Sequence, residues 1–184
     1  MNTLFISGSP NTGKTQTIYD LTAYLHNYQE YDIKTGYTSK GYPLTSDFFK
    51  TPKPDEAKGI DFLCVLEKKI EGNKPITVLI NSASDELENI ENLIYLFEEN
   101  SEVDTVISSI RADGFNDEMR TELYDKFQKL LIELGLDTME IEIPLAKITS
   151  KDDNFVNALR CYQKNINELV KRVLRNPPFN LQLQ

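Results

Sequence analysis

The chain of 184 residues carries 20 Lys and Arg against 29 Asp and Glu, a net charge of -9, with 40% hydrophobic residues, two cysteines, one histidine and no tryptophan. That is the length of one typical domain with apolar residues enough for one sizeable core, which argues against a disordered or fibrous chain. Cys64 and Cys161 lie far apart without CxxC spacing, so neither a disulfide framework nor a structural zinc site is expected, and a reducing compartment fits.

The acid excess disfavours broad binding to nucleic-acid backbones or anionic membranes, since both call for a basic face. It is also uneven: residues 1–74 hold 9 acids and 9 bases, 75–125 hold 13 and 2, and 126–184 hold 7 and 9. The negative charge therefore belongs to one middle segment.

Met1 and Asn2 lead directly into Leu4-Phe5-Ile6, with no basic stretch and long apolar core of a secretory signal. No run approaches 18 apolar residues, so no membrane span is expected and the expected location is the cytoplasm. Residues 3–7 read as a buried strand ending at Gly8-Ser9-Pro10. Ile18, Leu21, Leu25 and Tyr28 recur at helical spacing over 14–28. Residues 36–59 carry Gly36, Gly41, Pro43, Pro52, Pro54 and Gly59 without a sustained period and read as a long irregular connection.

Two apolar runs, 60–66 and 76–80, flank a charged segment containing Gly72-Asn73 and read as two strands, an antiparallel pair being one arrangement. Residues 86–99 form an amphipathic helical pattern, followed by a strand at 105–110, a helix at 116–134 ending at Gly135, and a strand at 139–143. A last helix over 153–174 is stopped by Pro177-Pro178. This alternation predicts an α/β fold, three layers with a largely parallel sheet between helices. One domain is expected over residues 1–176, with 36–59 an irregular connection or lid. The polar tail 177–184 is expected to be loosely held or to make an oligomer contact.

The chemistry concentrates in Gly8-Ser9-Pro10-Asn11-Thr12-Gly13-Lys14-Thr15, which matches G-x-x-x-x-G-K-[ST]. By composition the pattern arises in roughly one chain in a few hundred of this length, and here it follows an expected strand and opens an expected helix. A polyphosphate needs converging N–H donors, which a loop curling into a helix N-terminus supplies together with the positive end of the helix dipole. Gly8, Ser9, Asn11, Thr12 and Gly13 would furnish that cradle. Gly13 admits close approach of oxygen atoms, and Asn11 tolerates a left-handed backbone. Lys14 would meet the β- and γ-phosphates, and the Thr15 hydroxyl would ligate Mg²⁺.

On these residues the first thirty positions resemble the opening of the P-loop NTPase superfamily, which includes small nucleotide and metabolite kinases. The resemblance implies ATP or GTP as ligand, Mg²⁺ as cofactor, and NTP hydrolysis or transfer to a small-molecule acceptor. It also implies an acid at the end of a neighbouring strand. The run Ile76-Thr77-Val78-Leu79-Ile80 is followed by Asn81 instead. Asp85 is then the acid expected to reach the metal, its other reading being a cap on the following helix, while Asn81 or Ser82 would take over part of the role. Arg111, which follows the 105–110 strand, is one of the two bases in 75–125 and is suited to charge on a transferring phosphoryl group, to stacking on a base, or to a surface ion pair with Asp113 or Asp117.

The connection bearing Tyr37, Lys40, Tyr42, Phe48, Phe49, Lys50 and Lys53 has two readings, a lid over substrate or aromatic anchors that fasten it to the body. His26, Cys64 and Cys161 read as structural. Two other functions compete with an enzyme of this kind. The missing strand-end Asp motivates a nucleotide-sensing module with little turnover, and Ser7-Gly8-Ser9-Pro10 also resembles the phosphate loop of flavodoxin-like FMN reductases.

Overall fold

Why the apolar runs pair as they do follows from burial on both faces, which the computed structural model describes for residues 1–9, 11–50, 60–83, 87–100, 102–111, 126, 129, 139–147 and 155–183. In chain order these contain β1 (Asn2–Gly8), α1 (Lys14–Tyr28), β2 (Asp32–Thr38), a 3-10 turn (Ser46–Phe49), β3 (Phe62–Lys68), β4 (Ile76–Asn81), α2 (Leu87–Glu99), β5 (Thr105–Arg111), β6 (Met139–Pro144) and α3 (Phe155–Arg175). The strands form one six-stranded sheet in the order β2-β3-β4-β5-β1-β6. Pairings β1/β5, β1/β6 and β4/β5 are parallel, whereas β3 runs against both β2 and β4. The fold is therefore α/β with a mixed, mostly parallel sheet, and the antiparallel pair expected at 60–66 and 76–80 is β3 with β4.

Alternate residues of the central strands feed two separate cores, because side chains of a strand point to opposite faces. Leu4 and Ile6 face α1 and α3, where they join Ile18, Leu25, Val170 and Leu174. Phe5, Leu79 and Val106 face the other way and pack with Leu93, Leu96 and Phe97 of α2. Each such fully buried side chain contributes about 1.5–3 kcal/mol. The two-faced burial explains the near-continuous apolar runs, as in other parallel sheets covered on both sides.

The contact of α1 with α3 has a polar strip as well. Gln163 Nε2 donates to Thr17 Oγ1 at 2.9 Å, Asn167 Nδ2 to Asp20 Oδ2 at 2.8 Å, and Gln16 Nε2 to Asp20 Oδ1 at 2.6 Å. The first two bonds fix the register of the two helices beside the motif, and the third, within α1, holds the Asp20 carboxylate in place.

Two expectations are corrected, and between the two readings of the long connection one is selected. Residues 36–38 belong to β2, an edge strand whose polar Asp32-Ile33-Lys34-Thr35 opening lacks an apolar run because only part of it is buried. The connection that follows is fastened: Phe49 is fully buried, its ring 5.2 Å from Phe62 and 5.1 Å from Phe48, and the Tyr19 hydroxyl donates to Phe48 O at 2.7 Å and Lys50 O at 3.0 Å. The anchoring reading holds for residues 46–50, while 51–59 lie outside the described residues. The tail after Pro178 is docked: Phe179 and Leu181 are buried in the core on the α1 side, and Leu181 N–H donates to Leu174 O at 2.9 Å. The polar composition of the tail hid two alternating apolar anchors. The helix expected at 116–134 lies outside the described residues apart from Lys126 and Lys129, which are helical. Among the described residues no helix is long and apolar enough to cross a membrane.

Candidate phosphate-binding site

The motif lies where its spacing requires, between the carboxyl end of β1 and the first turn of α1. Gly13 occupies the helix N-cap with φ 90° and ψ 17°, a left-handed conformation that suits glycine, and a Cβ there would stand 3.3 Å from Gln163 Oε1. Asn11 has φ 63°, the left-handed geometry its residue type tolerates. At Gly8 an added Cβ would collide with Thr12 Oγ1 and sit 3.2 Å from Leu145 O, so a larger residue would displace the Thr12 hydroxyl. Thr12 Oγ1 donates to Ser9 O at 2.9 Å and draws the loop into a closed curve.

The first intrahelical bond of α1 runs from Thr17 N–H to Gly13 O at 2.8 Å, so the amides of the first turn point out along the helix axis. That turn carries no acid. An anion there meets the positive end of the dipole without a competing carboxylate from the helix.

Lys14 is only 8% exposed, and its Nζ donates to Gly8 O at 3.0 Å and Ser9 O at 3.2 Å. The ammonium is thus folded back over the loop it follows.

Thr15 reaches in the other direction. Its hydroxyl donates to Asp61 Oδ1 at 2.8 Å, and Ser82 Oγ, which accepts from Phe62 N–H at 2.8 Å, stands 3.4 Å from the same carboxylate oxygen. Asp61 immediately precedes β3. Because β3 is antiparallel, its start lies at the edge where β1, β4 and β5 end, the edge where open α/β sheets gather ligands. Asp61 was not among the expected site residues. The signal for it was present in the expected antiparallel pairing: an acid opening a strand antiparallel to its neighbour stands at the carboxyl edge of that neighbour.

Asn81, at the end of β4, does not join this cluster. Its Nδ2 donates to Ser108 Oγ at 3.2 Å and its Oδ1 accepts from Ala83 N–H at 3.0 Å, which commits the amide to bracing the loop after β4. Asp85 lies outside the described residues, as do Asp113 and Asp117. Arg111 closes β5 directly beside Gly8 in the parallel register, with its side chain partly buried. The backbone of Arg111 is therefore beside that of the first glycine of the motif.

His26 is remote from the loop; its Nδ1 lies 2.8 Å from Tyr31 O. Cys64 is fully buried and burial pushes its thiol well above the usual range, which makes it inert, whereas Cys161 is exposed on α3. Comparison with protein-family models, curated proteins and solved structures finds no match to this chain.

The oxygen-only set of Thr15, Asp61 and Ser82 suits a hard cation. Mg²⁺ in particular is commonly held by one or two carboxylates and completed by waters and phosphate oxygens. The amides of the first turn of α1, the Lys14 ammonium and the Thr15, Asp61 and Ser82 oxygens thus gather at one sheet edge; among the described residues no group of three or more His, Cys, Asp and Glu side chains that could hold a metal occurs.

Proposed function

We propose that this chain binds ATP or GTP with Mg²⁺ through residues 8–15, within a P-loop NTPase-like fold, and acts as an NTPase or small-molecule phosphotransferase. The observation that carries the reading is the opposed reach of two adjacent side chains: Lys14 folds over the loop to the Gly8 and Ser9 carbonyls while Thr15 engages Asp61. Bound phosphates would lie between the loop amides and Lys14, with Thr15 as a metal ligand and Asp61 holding the metal's water shell. Mg²⁺ there would neutralise charge on the β- and γ-phosphates.

Transfer then proceeds by in-line attack. The oxygen of water or of an acceptor hydroxyl forms a bond to the γ-phosphorus, the bond from that phosphorus to the bridging oxygen breaks, the nucleoside diphosphate leaves with the electron pair, and the proton passes to solvent. Lys14 and the loop amides stabilise the charge that accumulates, and Arg111 beside Gly8 is suited to the same task. Asp61 supplies the acid missing at the end of β4, which weakens the case for a module without turnover.

The strand order weighs against the flavodoxin-like reading. In that arrangement the second strand lies beside the first, whereas β3, β4 and β5 stand between β1 and β2 here.

Calorimetry with a non-hydrolysable ATP or GTP analogue and Mg²⁺, followed by a phosphate-release assay, tests the proposal. Saturable binding that disappears in Lys14→Ala is expected. No binding of either nucleotide to the wild-type protein, or a yellow protein with flavin absorbance, would overturn it.

A further inference from the structure

A cavity of about 300 Å³ opens at the same sheet edge on the α2 side, between the ends of β2 and β4, the start of β3 and the exposed flank of α2. Its volume is at the lower limit of small-molecule sites and too small for a polymer. Its wall neighbours the Thr15–Asp61–Ser82 cluster through the chain itself, because Phe62 follows Asp61 and donates its N–H to Ser82, and Asn81 and Ala83 flank Ser82.

The lining has a distinct chemistry. Phe62, Leu63, Ala83 and Leu96 are buried and make an apolar floor. Asn89 and Asn92, one helical turn apart on α2, line the rim, and neither side-chain amide bonds to another described residue. Tyr37 and Tyr95, 47% and 59% exposed, add aromatic rings at the mouth. No charged side chain is among the described lining residues.

We infer that this cavity receives the acceptor of the phosphoryl group and that the acceptor is an uncharged, flat heteroaromatic compound with a free hydroxyl, the chemistry of a nucleoside. The inference rests on the proposed phosphoryl transfer. A flat heterocycle has apolar faces and a polar edge, and this cavity has an apolar floor, aromatic rings and a rim of amides. Side-chain amides pair in a bidentate manner with the adjacent donor and acceptor of a base edge, and aromatic rings stack on its face. A sugar or polyol needs hydrogen-bond partners on every side, which the floor does not provide. A phosphorylated or carboxylated acceptor would need a cation that the described lining lacks. In the transfer, the acceptor hydroxyl oxygen bonds to the γ-phosphorus, the bond to the bridging oxygen breaks, and the hydroxyl proton goes to solvent.

The test is calorimetric titration of the full chain with adenosine, guanosine, cytidine and uridine, and with glucose and glycerol, in the presence of Mg²⁺ and the non-hydrolysable triphosphate. The same titrations are made on Asn89→Ala and Asn92→Ala. At least one nucleoside is expected to bind saturably, with affinity falling about tenfold in an Asn variant, the worth of one well-made hydrogen bond, while triphosphate affinity stays within about twofold.

Absence of saturable binding by every nucleoside up to millimolar concentration, or binding of a polyol instead, would overturn the inference. So would nucleoside binding that both variants leave unchanged. Loss of triphosphate affinity in the Asn variants would overturn it too, by putting the base of the triphosphate in this cavity. The proposed function fails separately, if the triphosphate does not bind the wild-type protein in the first titration.

Discussion

The Thr15 hydroxyl donates to Asp61 Oδ1 at 2.8 Å across 46 residues of sequence. The first turn of α1 is thereby tied to the start of β3, and the phosphate motif acquires a carboxylate from a strand that runs against its neighbours. An Asn at 61 keeps an oxygen able to accept the same bond but removes the charge. Asp61→Asn is therefore expected to fold normally and to lose about 10- to 100-fold in affinity for Mg²⁺-bound triphosphate. Affinity for the metal-free nucleotide should hold or rise, because a carboxylate near the phosphates is gone. Calorimetry with Mg²⁺ and with EDTA separates the two, and equal losses under both conditions would contradict a metal role.

Gly8 touches Thr12 so closely that an added methyl overlaps its hydroxyl. In Gly8→Ala the Thr12 hydroxyl must shift, breaking its bond to Ser9 O. A stability loss of about 1–3 kcal/mol is expected from overpacking, with triphosphate binding weakened at least tenfold. Urea denaturation and calorimetry read the two effects; undiminished binding would show that the loop shape is not what holds the nucleotide.

Phe49 is fully buried against Tyr19, Phe48 and Phe62. If residues 46–50 are an anchor, Phe49→Ala costs about 3–5 kcal/mol in the ligand-free protein, measured by chemical denaturation. A segment that closes only over substrate would show almost no loss without ligand.

Tyr31 is buried with a hydroxyl that has no hydrogen-bond partner among the described residues, and burial, with a smaller effect of Asp104, raises its pKa to about 12. The folded protein therefore retains this proton where the unfolded chain, with an ordinary tyrosine near 10, releases it. Stability from this source is intact below about pH 10 and lost as pH rises toward about 12. Tyr31→Phe should be neutral or up to about 1 kcal/mol more stable at pH 7, since an unsatisfied buried hydroxyl is removed. At pH 11 its advantage should grow by about 1 kcal/mol. Denaturation curves at both pH values test this, and a constant difference would refute it.

The local features were legible in the sequence for physical reasons that are themselves local. Residues 8–15 lie between an apolar run and a helical period, so the loop, its left-handed Asn11 and Gly13, and the start of α1 at Lys14 follow from chain chemistry within a few residues. The central strands announced themselves because burial on both faces demands continuous apolar runs. Edge strand β2 did not, since half-exposed Asp32 to Thr35 have no such demand, and neither did the docked tail, whose two apolar anchors are diluted by polar neighbours.

What the sequence by itself determined is a loop with the spacing of a phosphate-binding motif on an α/β scaffold, because its backbone geometry and its charges come from consecutive residues. Only the tertiary structure decided which acid meets Thr15. That choice depends on the direction of β3, and strand direction is set by pairing between segments distant in the chain: with β3 antiparallel, Asp61 arrives at the edge where the parallel strands end, while Asn81 at the end of β4 is spent on bracing its own loop.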